Sequence, residues 1–166
     1  DSYYLVSGPG DVLEAFKREL KDDGVVCKSV DINFPPHSEY LSKYASDYKE
    51  FLSDRPSKEI AIPVLSTVTG ELLEQNRTIN GDYWYKNLTS PVRFKDALKS
   101  LEQIENDTIL FLEIGPEDTL SKLVRQTSLN KKTVNAISCL PSREKGGESI
   151  AFKKALGKLW KIGVLS

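Results

Sequence analysis

Short apolar runs of strand length alternate with longer runs of helical periodicity along most of the 166-residue chain. Because a helix between two strands returns the chain in the same direction, this repeated order favours a parallel sheet covered by helices. We therefore predict an α/β fold. The predicted strands are residues 3–6, 25–32, 60–68, 108–114 and 134–139, the helices are 11–20, 39–52, 83–88, 94–104, 118–127 and 150–162, and surface loops lie at 71–80 and 142–147.

The helical run at 39–52 carries large apolar side chains at helical spacing, at Leu41, Tyr44, Tyr48 and Phe51. Such a stripe commonly faces the core, with tyrosine hydroxyls reaching its rim. We interpret it as a core face. An exposed aromatic binding surface is the alternative.

Composition excludes several classes of protein. The net charge is −1 and no basic stripe is present, so we expect neither nucleic acid nor a membrane surface as a partner. No apolar run reaches membrane-spanning length and the N-terminus does not resemble a signal peptide, so we expect a cytoplasmic protein. Cys27 and Cys139 lie in separate strand-like runs without a Cys-x-x-Cys pair, which favours two buried reduced thiols and disfavours a metal site.

The only histidine, His37, stands where a strand-like run gives way to a helical run. Pro35 and Pro36 restrict their own φ and disfavour helical backbone in the preceding residue, so the approach to His37 should be extended and stiff. Imidazole exchanges protons near neutral pH and suits general acid–base catalysis. The alternative is a structural histidine at a helix start, with Ser38 as the N-cap.

Six short segments are more specific than these general patterns. They are 6–9 (Val-Ser-Gly-Pro), 34–38 (Phe-Pro-Pro-His-Ser), 62–70 (Ile-Pro-Val-Leu-Ser-Thr-Val-Thr-Gly), 83–88 (Tyr-Trp-Tyr-Lys-Asn-Leu), 91–94 (Pro-Val-Arg-Phe) and 111–116 (Phe-Leu-Glu-Ile-Gly-Pro). In order and spacing they resemble the C-terminal half of the acyltransferase domain of modular polyketide synthases and, more distantly, malonyl-CoA:acyl carrier protein transacylases.

This resemblance implies a finer architecture. Residues 36–158 would form part of an α/β-hydrolase-like parallel sheet, the C-terminal part of the large acyltransferase subdomain. Residues 1–35 would be the second half of a ferredoxin-like small subdomain. Residues 159–166 would begin the linker that follows the domain. Trp160, in this linker, would be either an anchor for neighbouring protein or an ordinary core residue.

The resemblance also implies roles for five residues. His37 aligns with the catalytic histidine, the general base and acid, and Asn87 with the residue whose backbone carbonyl orients the ring. A helix C-cap is the alternative reading of Asn87. Phe34, Pro35 and Pro36 align with residues that tune substrate choice. They depart from both His-Ala-Phe-His, common with malonyl units, and Tyr-Ala-Ser-His, common with methylmalonyl units, and malonyl is our first choice.

Family members also carry a nucleophilic serine in a Gly-His-Ser-x-Gly turn upstream, whereas this sequence contains no Gly-x-Ser-x-Gly. The resemblance implies acyl-CoA as substrate, no bound cofactor, and transfer to the phosphopantetheine of an acyl carrier protein, with an adjacent ketosynthase and linker as further partners. Such a half domain would be inactive alone and would dimerise or swap. A non-catalytic module that docks the carrier protein is the alternative.

Overall fold

The structure, a computed structural model, describes residues 4–30, 32–55, 57–73, 75–103, 108–127, 129, 133–140 and 147–165. The chain divides into two units, Asp1–Ala97 and Leu98–Ser166. Each unit contains its own buried apolar residues. They are Ala45, Ile60, Leu73 and Ala97 in the first unit, and Leu98, Val124, Leu129, Ile137, Cys139, Ala155 and Leu159 in the second.

The first unit is mainly helical. Its helices are α1 (Gly10–Asp22), α2 (Ser42–Ser53), α3 (Gly81–Thr89) and the start of α4 (Phe94–Ser100), with a 3-10 turn at Glu39–Leu41 between α1 and α2. α4 continues into the second unit, where a 3-10 turn follows it at Leu101–Gln103. All four helices lie where the periodicity predicts them, within a few residues. Residue 104, the predicted end of the fourth helix, lies outside the described residues.

The second unit contains the parallel pairing that the sequence predicts. β3 (Thr108–Glu113) and β4 (Thr133–Ser138) pair in parallel, in register from Thr108 opposite Thr133 to Glu113 opposite Ser138. α5 (Thr119–Gln126) lies between them in the chain and contacts both strands. This strand–helix–strand unit confirms the α/β class, whereas the finer subdomain boundaries at 35 and 158 stay predictions.

α6 (Glu148–Lys161) completes the second unit. Ala155 and Leu159 on this helix pack with Ile137 and Cys139, next to β3 and β4, to form a small apolar cluster. Trp160 is 69% exposed, so it is not the core residue that one of the two interpretations suggested. Residues 142–146 of the predicted loop lie outside the described residues.

Two predicted strands are wrong. Among the described residues of 3–6 and 25–32, no backbone group joins a strand ladder. Apolar side chains in both segments are exposed, to 53% at Val6 and 86% at Val26. A strand requires a second strand to accept and donate its backbone hydrogen bonds, and no described segment pairs with either one.

The predicted strand 60–68 is also largely wrong. Only β1 (Val64–Leu65) is a strand, and it pairs antiparallel with β2 (Leu72–Leu73), inside the segment predicted as a loop. The reason is the tight turn between them. Gly70 adopts φ +78°, and the Ser66 amide donates to the Glu71 carbonyl, which turns the chain back after a few residues.

The aromatic stripe of α2 is not a core face. Ala45 is the buried residue of this helix, whereas Tyr44 is 66% exposed and Tyr48 and Phe51 are also exposed. Two cations lie against these rings, with Lys43 over Tyr44 and Arg55 over Phe51. The small alanine, and not the aromatic stripe, therefore forms the packed side of α2.

The two cysteines are free thiols, as predicted. Cys139 is buried, but Cys27 is only half-buried, so the prediction of two buried thiols is wrong for Cys27. The difference follows from the missing strand, because residues 25–30 pair with no strand among the described residues. Within the described ranges, none of the helices is long and apolar enough to cross a membrane.

Candidate active site

His37 and Asn87 meet in the first unit, although 50 residues separate them in the chain. The Nδ1 atom of His37 lies 2.7 Å from the carbonyl oxygen of Asn87, and both residues are half-buried. A carbonyl oxygen can only accept, so Nδ1 carries the hydrogen in this bond. The lone pair of the neutral ring then lies on Nε2, which is the atom able to accept a proton.

The backbone around His37 is unusual. His37 adopts φ +55°, in the left-handed region that costs a non-glycine residue about 1–2 kcal/mol. The hydroxyl of Ser38 donates to the Pro35 carbonyl at 2.7 Å and closes a turn around Pro36 and His37. Ser38 is the N-cap residue of the 3-10 turn, as the structural alternative predicts, but its side chain makes no capping hydrogen bond. Strained residues of this kind are frequent at functional sites.

Asn87 lies in the last turn of α3, and Ser90 is the C-cap. The reading of Asn87 as the C-cap itself is therefore wrong. Its carbonyl is one of the last four of the helix, which have no partner within the helix. Such a carbonyl is available to an outside donor, and His37 supplies that donor.

The helix that carries Asn87 packs directly on the helix that follows His37. Lys49 of α2 and Asp82 of α3 form an ion pair at 2.6 Å, and this hydrogen-bonded pair raises the pKa of Lys49 and lowers the pKa of Asp82. Close to it, a Cβ added to Gly81 would lie 2.7 Å from the Lys49 carbonyl oxygen. Glycine at position 81 therefore permits the close approach of α2 and α3.

A second anchor of α3 was not anticipated from the sequence. Ser66 is 1% exposed, and its hydroxyl oxygen accepts from the amides of Val68 and Thr69 at 3.1 and 3.2 Å. Those bonds occupy its two lone pairs, so the hydroxyl donates its hydrogen to the Tyr83 oxygen, 2.9 Å away. Serine hydroxyls often accept hydrogen bonds from backbone amides two or three residues later in a turn. The segment Ser66-Thr67-Val68-Thr69-Gly70 fits this pattern, so the sequence could have indicated the turn.

The three residues before His37 are at or near the surface. Phe34 is 59% exposed, and Pro35 and Pro36 are half-buried. Two arginines of the chain have contacts of their own. Arg93 pairs with Asp96 at 3.0 Å, and Arg125 donates to the Ala136 carbonyl at 2.8 Å.

Glu113 is a further half-buried carboxylate, in the second unit. Its two oxygens accept from the amides of Leu120 and Ser121 at 3.0 and 2.9 Å, at the start of α5. Burial opposes the charged form, but the hydrogen bonds from Ser121 and Leu120 favour it more strongly and lower the pKa of Glu113. Glu113 therefore supports the start of α5, next to β3 and β4.

The acyl transferase domain family matches residues 2–165 of the sequence. The polyketide biosynthesis acyltransferase homolog PksD of Bacillus subtilis is 27% identical over 126 residues, which cover 76% of this chain and 37% of PksD. The low-reducing polyketide synthase drtA of Aspergillus calidoustus is 32% identical over 164 residues, which cover 93% of this chain and 7% of drtA.

Two solved structures are also similar to this chain. The acyl transferase domain of SpnD, in complex with 2-(pent-4-yn-1-yl)malonyl, superimposes with a TM-score of 0.84 at 25% identity, over 95% of this chain and 38% of that domain. The malonyl CoA-acyl carrier protein transacylase of Clostridium perfringens shares the fold, with a TM-score of 0.70 at 23% identity over 92% of this chain and 44% of that chain. The chain thus spans less than half the length of each of these proteins.

Proposed function

The chain belongs to the acyl transferase domain family, and from this premise we propose that it is part of an enzyme that transfers a malonyl-type acyl group from CoA to an acyl carrier protein in polyketide biosynthesis. The observation that carries the proposal is the bond from His37 Nδ1–H to the Asn87 carbonyl at 2.7 Å. This bond leaves the lone pair of Nε2 available to accept a proton. A histidine held in this way is the general base and acid of the proposed reaction.

In the first half-reaction, Nε2 of His37 takes the proton of a serine hydroxyl while the serine oxygen attacks the thioester carbonyl of acyl-CoA. The carbon–sulfur bond then breaks, the acyl group stays on the serine, and the imidazolium returns the proton to the CoA thiolate. Since this sequence contains no Gly-x-Ser-x-Gly, we propose that the serine lies in a part of the protein outside these 166 residues. The 166 residues alone are then inactive.

In the second half-reaction, Nε2 takes the proton of the phosphopantetheine thiol on the carrier protein. The thiolate attacks the acyl-serine, the carbon–oxygen bond to serine breaks, and the imidazolium returns the proton to the serine oxygen. The reaction is ping-pong, and it needs no cofactor besides the phosphopantetheine that the carrier protein brings.

Phe34, Pro35 and Pro36 are proposed to shape the acyl site beside His37. The exposed ring of Phe34 is consistent with contact to a substrate or to another part of the protein. The SpnD domain holds a malonyl derivative, which supports a malonyl-type substrate. Selection between malonyl and methylmalonyl depends on one methyl group, worth about 1–3 kcal/mol.

The remaining partners are proposed from the family. They are an acyl carrier protein, a ketosynthase with its linker and, for the 166 residues in isolation, a second copy of the chain through dimerisation or swapping. The cytoplasmic location expected from the sequence also stays a prediction.

One observation favours a second function. Tyr40, Tyr44 and Phe51 expose more than half of their surface on the first unit, at 60%, 66% and 54%, which suits a docking surface. In this alternative the chain docks a carrier protein and does no chemistry. It predicts that no acyl-serine forms even in the full protein.

Intact mass spectrometry tests the proposal. The full protein that carries this chain is mixed with malonyl-CoA or methylmalonyl-CoA, alongside His37→Ala and the matched control Glu39→Gln, an exposed residue two positions away. We expect an acyl adduct with one CoA in the parent protein and in Glu39→Gln, and little or none in His37→Ala. No adduct with either CoA would favour the docking module.

A further inference from the structure

We propose that Pro91 is a positioning residue for His37, because its lack of a backbone N–H leaves the Asn87 carbonyl unshared as the acceptor of the Nδ1–H of His37. The inference rests on the proposed function, in which the base must present its lone pair on Nε2. It explains why the Asn87 carbonyl, among the carbonyls of α3, accepts the Nδ1–H of His37.

The hydrogen-bond pattern of α3 singles out Asn87. In an α-helix the carbonyl of residue 87 accepts from the amide of residue 91. Residue 91 is proline, which has no amide hydrogen. One residue earlier, the Lys86 carbonyl still accepts from the Ser90 amide at 2.9 Å. Asn87 is therefore the first carbonyl of this helix end whose regular donor is absent.

Pro91 also ends the helix at the right place. A residue before proline is forced towards extended backbone, and Ser90 has φ −113° and ψ 152°. α3 consequently stops at Thr89. The Nδ1–H of His37 donates to the Asn87 carbonyl instead, with Nδ1 2.7 Å from the oxygen.

An alanine at position 91 would change both features. It would add an N–H that competes for the Asn87 carbonyl, and it would allow Ser90 to become helical. The Nδ1–H of His37 would then have a weaker or misplaced acceptor. The tautomer with hydrogen on Nε2, which cannot act as a base at that atom, would gain population.

The test is ¹⁵N NMR of histidine-labelled full protein, in which the His37 signals are identified by their loss in His37→Gln. Three changes are compared with the parent protein. Pro91→Ala removes the ring and adds the N–H. Lactic acid at position 91 removes the ring without adding an N–H, because it joins the chain through an ester. Pro116→Ala, the control, removes a proline from the second unit.

We expect the Nδ1–H tautomer in the parent protein, in the lactic acid variant and in Pro116→Ala, and a mixture of tautomers in Pro91→Ala. Acyl-serine formation in Pro91→Ala should fall by about tenfold, since only part of the contribution of a positioned base, about 10²–10⁴-fold, is lost. An unchanged tautomer in Pro91→Ala would overturn the proposal. So would an equal shift in Pro91→Ala and the lactic acid variant, because the ring and not the N–H would then be responsible.

The tautomer readout needs no substrate. If the parent protein forms no acyl-serine, the proposed function fails while the tautomer comparison still decides the role of Pro91. If acyl-serine forms and the tautomer is the same in all variants, the inference on Pro91 fails and the proposed function stands.

Discussion

The Nδ1 atom of His37 lies 2.7 Å from the carbonyl oxygen of Asn87. This bond joins the turn before α2 to the last turn of α3. The two helices are also connected by the ion pair of Lys49 and Asp82. A change that separates α2 from α3 therefore changes the position of the Asn87 carbonyl relative to the His37 ring.

Gly81→Ala should separate these helices. The added methyl group would lie 2.7 Å from the Lys49 carbonyl oxygen and 2.6 Å from the Ser53 hydroxyl oxygen, closer than van der Waals contact allows. We expect the free energy of unfolding to fall by about 1–3 kcal/mol, as for other overpacked sites. Thermal unfolding measures the stability, and the rate of acyl-serine formation reports the displacement of Asn87.

Gly157→Ala is the matched control, because a Cβ at this helical position meets no atom within 4 Å. Alanine is a better helix former than glycine, so this variant should be more stable by about 0.5–1 kcal/mol. Equal stabilities of Gly81→Ala and Gly157→Ala would contradict the close approach of α2 and α3.

Tyr83→Phe should destabilise the first unit by about 1 kcal/mol, because it removes the hydrogen bond to the buried Ser66 hydroxyl. Ser66→Ala should destabilise it more, because the amides of Val68 and Thr69 also lose their acceptor. The double variant should lose less than the sum of the two. Urea unfolding of the four proteins gives the coupling energy, and Tyr44→Phe, at an exposed tyrosine, is the control. Additive losses would mean that the two hydroxyls do not interact.

Glu113 should make the stability of α5 depend on pH. Its folded pKa is lowered, so its contribution is complete above the usual glutamate pKa of about 4.3 and is lost as pH falls through the lower folded value. Glu113→Gln should weaken the start of α5 by about 1 kcal/mol at neutral pH, as for a lost N-cap, and should flatten this acid dependence. Hydrogen exchange of the α5 amides measures both effects, with exposed Glu71→Gln as control. An equal acid dependence in Glu113→Gln and the parent would contradict this role.

Helical periodicity and the six segments predicted the parts of the fold that are local. The backbone hydrogen bonds of a helix join residues close in the chain, and β3, α5 and β4 are consecutive elements. The predicted resemblance to acyltransferase domains is confirmed by the family match. Segments 3–6 and 25–32 were predicted as strands because they are apolar runs of strand length, but a strand also requires a partner, which sequence patterns do not supply.

Side-chain environment was harder to predict than helix position. Periodicity identified the aromatic stripe of α2 but could not show that Ala45, and not Tyr44, faces the packed side. The neighbourhood of His37 and Asn87 followed from the family resemblance and not from any local pattern, because contacts over 50 residues leave no periodic signal. The lack of a helical donor for the Asn87 carbonyl, by contrast, follows from the sequence. Asn87 lies in the predicted helix 83–88, and the residue four positions later is Pro91, which has no N–H.

The most direct test of the central claim is the single-turnover rate of acyl-serine formation in the full protein, compared among the parent, His37→Gln and Glu39→Gln. If His37 is the general base, His37→Gln should slow this step by about 10²–10⁴-fold, and Glu39→Gln should leave it unchanged. Acyl-serine formation at the parent rate in His37→Gln would contradict the account, because the bond to Asn87 would then hold a histidine that takes no part in the chemistry.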